Sequence, residues 1–205
     1  MKVLISLFLL IISSNSFGKD FSGITSYSIG MVNIGVTENE SSLESTDENV
    51  TPGEEKKSSA KAVSAISFNL NYEFSFKQKR SYFVKATVPM MTADGAGLFL
   101  GGVGFNWYLN DLGSIYRANI GGSEIVMVPK FRYWWGANAG VGYLLYNTES
   151  AKKSDIIFDL GIHGGAGYNF GEKWGMKGEA IVGRGTGVAS TTMNIRMFFG
   201  VTYFI

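Results

Sequence analysis

Asp159 and His163 stand four residues apart in a chain that holds a single His and no Cys. On a helix that spacing would bring acid and base together, but on a strand it separates them by roughly 13 Å, too far for an acid–base pair. Zinc centres and Ser-His-acid triads lack their parts here, and no Gly-x-Ser-x-Gly, His-Glu-x-x-His or P-loop motif occurs. The glycine groups at 101–104, 164–167 and 183–187 look superficially like phosphate loops. No helical pattern follows any of them, so they read as small residues packing a narrow interior. The carboxylates between Glu38 and Glu55 lack the Asp-x-Asp-x-Asp-Gly order of a calcium loop and read as a solvated acidic segment. The residues therefore predict no catalytic group, no cofactor and no metal.

What must position the remaining polar residues is set by composition and by the N-terminus. Met1-Lys2, the apolar run Val3 to Ile12 and the small polar stretch Ser13 to Gly18 have the order of a secretory leader, which predicts a signal peptide over 1–18. A run of ten residues, apolar but for Ser6, falls short of the roughly 20 a bilayer-spanning helix needs. Only 17% of the chain is charged, against roughly 25% in soluble domains. Eighteen Lys+Arg against 17 Asp+Glu give +1, and removing Lys2 with the leader leaves 17 against 17, so the basic excess that nucleic acid requires is absent. Without Cys, lipid anchoring through an acylated cysteine and disulfides are both excluded. An exported, apolar chain with no membrane helix points to a β-barrel over 19–205.

Barrel strands alternate apolar and polar residues with period two, and eight stretches do so. In 66–76, Ile66, Phe68, Leu70, Tyr72, Phe74 and Phe76 oppose Ser67, Asn69, Asn71, Glu73 and Ser75. The stretches 81–91, 98–109, 130–146, 155–170, 173–183 and 194–205 follow the same rule. A less regular first strand covers 22–36, where Val32 and Ile34 suggest a bulge. An even count with both ends on one side allows closure. With a periplasmic N-terminus, the long acidic connection 37–60 faces outward, a candidate site for an extracellular ligand. Residues 110–129 form a long periplasmic link with a small hairpin through Ile125 to Val128; if that hairpin crossed the membrane, the barrel would have ten strands.

By parity, the interior holds a mixed-charge set of Glu73, Lys85, Asp159, His163, Lys177, Glu179 and Arg196, with Lys130 and Arg132 toward the periplasmic end. Confined charges must pair or incur a large desolvation cost, so the strand order predicts Glu73 with Lys85 and Glu179 with Arg196, with cross-lumen exchange as the alternative. On the opposite face, Trp107, Tyr133, Trp135, Tyr168, Trp174 and Tyr203 fall at periplasmic strand ends and read as an interfacial aromatic girdle. The competing architecture is a soluble lipocalin-like barrel, apolar inside and polar outside. Its solvent face would then carry Gly102, Gly104, Gly136, Gly140, Gly142, Gly161, Gly165 and Gly167, which weaken a strand unless something packs over them.

From about residue 19 to 205 the chain resembles the small outer-membrane barrels typified by the membrane domain of outer membrane protein A, outer membrane protein X and their adhesin-like relatives. The resemblance rests on the leader, the eight alternating strands and the terminal run Met197 to Ile205, which looks like the aromatic C-terminal signal of such barrels. Here Ile205 stands where family members most often carry Phe, and Phe204 points inward. The resemblance implies a Gram-negative cell-envelope protein in the bacterial outer membrane. Its implied partners are outer-membrane lipid, lipopolysaccharide and the insertion machinery. The expected role is structural or surface-interacting and non-enzymatic, and the alternative is a porin-like, narrow gated pore. Some small barrels resemble lipid A deacylases or palmitoyltransferases, which place His, Ser and an acid at the outer rim; His163 lies mid-strand and inward by parity.

Overall fold

The computed structural model describes residues 23–38, 61–77, 79–92, 96–110, 116–147 and 152–205. The leader at 1–18 and residues 39–60 of the acidic connection lie outside the described residues. Eight strands close into one antiparallel barrel: β1 (Gly23–Glu38), β2 (Lys61–Lys77), β3 (Arg80–Thr92), β4 (Gly97–Tyr108), β7 (Phe131–Asn147), β8 (Lys152–Asn169), β9 (Trp174–Gly187) and β10 (Ser190–Phe204). Closure joins β1 to β10, and the Ile205 N–H donates to the Gly23 carbonyl at 2.9 Å. The ten-strand alternative is ruled out. β5 (Tyr116–Ile120) and β6 (Ser123–Met127) form a separate two-stranded sheet that is not hydrogen-bonded into the barrel. Their two-residue turn places Gly121 and Gly122 at φ 63° and 86°, the left-handed pair of a type I′ hairpin turn.

Alternation dictates the two faces of each barrel strand, and most strands extend beyond the stretch where that alternation is obvious. The first strand needs correction. β1 has no bulge, because its pairing with β10 runs unbroken from Ile24↔Phe204 to Glu38↔Ser190 and that with β2 from Gly23↔Phe74 to Val36↔Lys61. Val32 and Ile34 simply continue the inward set. An irregularity occurs in β3 instead, where Ser67 pairs with Pro89 and Ile66 with Met91, leaving Met90 as the extra residue. A proline that cannot donate to the ladder sits beside that break.

Partner residues followed once around the barrel lead from Ser26 through Asn71, Lys85, Gly102, Gly140, Asp159, Gly185 and Thr192 back to β1 at Val36, ten residues on (26 to 36). Such a stagger means tilted strands, and an eight-stranded barrel has an interior just wide enough for side chains to fill.

Candidate functional site

The interior has three tiers, each built by inward residues of neighbouring strands. At the end where β1 begins and β10 ends, the Glu73 carboxylate accepts hydrogen bonds from the Ser81 and Tyr108 hydroxyls. Beside them Arg132 is buried, with its guanidinium 4.9 Å from the Phe204 ring centroid and 5.8 Å from that of Trp134. Trp134 and Tyr108, both inward and buried, are tilted against each other at 6.1 Å. Lys130 is not part of this interior. It precedes β7, is exposed, and its ammonium lies 6.0 Å over the Tyr168 ring.

The middle tier carries the buried ion pairs, and they differ from the expected ones. Register sets Glu73 opposite Phe83 and Lys85 opposite Asn71, and likewise Glu179 opposite Phe198 and Arg196 opposite Ile181. Neither expected pair forms. Arg196 instead bonds Asp159 at 2.7 Å, both side chains being fully buried, and Asn194 Nδ2 donates to the same carboxylate at 2.7 Å. Both donors belong to β10 and the acceptor to β8, so they reach across the intervening β9. They pass over Gly183, where a Cβ would lie 2.8 Å from Asn194 Oδ1, 2.9 Å from Arg196 Nη2 and 3.1 Å from Asp159 Oδ1. Lys177 pairs with Glu179 along the same strand at 3.2 Å. Lys85 Nζ is buried with no hydrogen-bond partner among the described residues; Phe83 lies below it, with the ring centroid at 5.5 Å.

His163 follows the logic of Gly183. Its Nε2 lies 2.7 Å from Asn106 Oδ1 on β4, two strands away, because the residue between them on β7 is Gly136, whose Cβ would lie 2.7 Å from that same nitrogen. The Phe83 ring meets the imidazole edge-on at 5.3 Å. His163 is thus an interior group held by an amide, and no acid or serine hydrogen bond to it is present among the described residues. Lumen glycines act here as windows, letting side chains on strands two apart meet.

The third tier is apolar and was not expected. Val32, Ile34, Val36, Val63, Leu98, Leu100, Leu144, Ile157 and Ile181 are buried together, filling the interior toward the far end. At that mouth Lys153 bonds Glu38 at 3.0 Å, and Asp155 accepts from the Ser190 hydroxyl at 2.8 Å and the Ala189 N–H at 3.0 Å. The clue to this tier in sequence was an apolar residue at an inward position, as at Ile34, Leu144 and Ile157.

Outside, the barrel is apolar over its whole circumference, with Ile29, Met31, Val103, Val141, Ile156, Leu160, Ile162, Met193 and Met197 exposed. Aromatic side chains gather at the end where β1 begins and β10 ends. Trp107 and Trp135 stack at 6.5 Å, Phe131 meets Tyr133 and Tyr168, and Trp174 lies 4.8 Å from Tyr203. Phe76 lies among side chains outside the described set.

A closed eight-stranded antiparallel barrel with an apolar exterior, an aromatic end and a polar, glycine-rich interior has the fold of the small outer-membrane barrels. The crystal structure of the outer membrane protein OprG from Pseudomonas aeruginosa aligns with a TM-score of 0.53 at 12% identity, covering 90% of this chain and 95% of OprG. Neisserial surface protein A aligns with a TM-score of 0.47 at 10% identity over 87% of this chain and 97% of its own. The N-terminal β-barrel domain of Pseudomonas aeruginosa OprF gives 0.46 at 9% identity, with the same coverage, 87% and 97%. At these identities the likeness concerns the fold. No family model matches the sequence, and no curated protein matches it.

Proposed function

We propose that the chain is an integral protein of the bacterial outer membrane whose lumen is closed, and whose role is structural or surface-interacting rather than conductive or enzymatic. The observation that carries this reading is the apolar tier. A ring of Val, Ile and Leu across a narrow barrel repels both water and ions, so the polar tier below it ends blindly. The outward apolar surface and aromatic end support residence in a bilayer, with that aromatic end on the periplasmic side. That orientation turns the acidic connection 37–60 toward the cell exterior, as the candidate contact for an extracellular ligand. The His163–Asn106 bond inside the barrel supports a packing role for the one histidine. Planar-bilayer recording of the refolded full chain tests the closed lumen. Absence of steady conductance is expected for the wild type, and replacing Leu98 and Leu144 together with Ser should wet the apolar tier and produce openings. A stable open channel in the wild type would instead establish the pore.

A further inference from the structure

We propose that the β5–β6 hairpin docks on the periplasmic, phospholipid leaflet of the outer membrane instead of extending into the periplasm; this rests on the membrane reading above. The hairpin springs from β4 after Leu109 and returns to β7 at Phe131, both exposed. Pairing of Ala118 with Ile125, Tyr116 with Met127 and Ile120 with Ser123 puts Ile120, Ile125 and Met127 on one face of the two-stranded sheet. All three side chains are exposed, Ile120 to 65%. A two-stranded hairpin is marginal in water by itself, and an apolar face of this kind calls for cover.

Two observations make the cover lipid. First, the barrel residues from which the hairpin departs and to which it returns stand in the aromatic girdle: the Leu109 N–H donates to the Tyr133 carbonyl at 2.8 Å two residues after Trp107, and Phe131 stacks on Tyr133. Second, the rim is basic. Lys79, Arg80, Lys130 and Lys173 are exposed there, with Glu172 the acid among the described rim residues. The Arg80 guanidinium lies 4.1 Å over the Trp107 ring and the Lys130 ammonium over Tyr168. A cation above an interfacial aromatic ring suits a phosphate headgroup above its acyl chain.

Because the chain has no Cys, a single introduced thiol carries the only label. Ile125→Cys, Ile120→Cys, Asn119→Cys and Leu160→Cys would each be labelled with an environment-sensitive fluorophore. Each is then refolded into vesicles of phosphatidylethanolamine and phosphatidylglycerol, with and without bromine on the acyl chains. Labels at 125 and 120 should shift to the blue and lose most of their emission to the brominated lipid, while the label at 119, on the opposite hairpin face, stays water-like. Quenching at 160 with water-like emission at both 120 and 125 would overturn the docking. Loss of quenching at 160 as well would overturn the membrane reading itself.

Discussion

Asp159 and Arg196 illustrate how single glycines decide which charges meet. Their strands are not paired in the barrel, and the bond exists because Gly183 leaves a gap in the strand between them. Removing Arg196 leaves a fully buried carboxylate with Asn194 as its remaining donor, so Arg196→Ala should cost about 3 to 5 kcal/mol. The double variant Asp159→Leu/Arg196→Met should cost less than the sum of its singles, because no orphaned charge remains. Urea titration in lipid vesicles measures the cycle, and additive effects of under about 0.5 kcal/mol would show that the two groups are separately solvated. The Glu179 and Arg196 pair expected from strand order should show far weaker coupling, since Glu179 bonds Lys177.

Each strand has two environments, and β8 and β7 show them side by side. Leu160, halfway along β8, is exposed outward, while Leu144 on β7 is wholly buried in the apolar tier. Leu160→Arg should cost about 2 to 4 kcal/mol in a bilayer, as an arginine facing lipid near the midplane does. Leu144→Ala should cost about 2 to 5 kcal/mol through the cavity it opens. Refolding equilibria in vesicles check both, and a neutral Leu160→Arg would mean that this face meets water. The strands were legible because period-two alternation survives in Ile66 to Phe74 and Trp135 to Val141, where outward apolar residues oppose inward polar residues or glycines. β1 was harder to read. With Val32, Ile34 and Val36 inside and Ile29 and Met31 outside, both faces are apolar and alternation fades, which mimics a bulge. The bulge at Met90 left no signal beyond Pro89. Ion-pair partners were illegible for a different reason. Strand order ranks neighbours, but the ladder sets Glu73 and Lys85 two residues out of register, and a glycine window is visible only once register is known.

At the scale of the whole molecule, the barrel inverts a soluble protein on its outside and resembles one inside its upper lumen. Apolar side chains cover the exterior, an apolar tier fills the interior toward the far end, and a charged, amide-rich tier fills the rest. The decisive distinction is therefore between two populations of Ile and Leu that sequence composition cannot tell apart. Methyl NMR of the wild-type chain in lipid nanodiscs, with spin labels on the acyl chains, separates them without any mutation. Methyls of Ile29, Ile156, Leu160, Ile162 and Ile195 should be broadened strongly by the labelled lipid, and those of Ile34, Leu98, Leu144, Ile157 and Ile181 should be spared. Equal broadening of the two sets, or broadening of the interior set alone, would contradict the account of a membrane-embedded barrel with a sealed lumen.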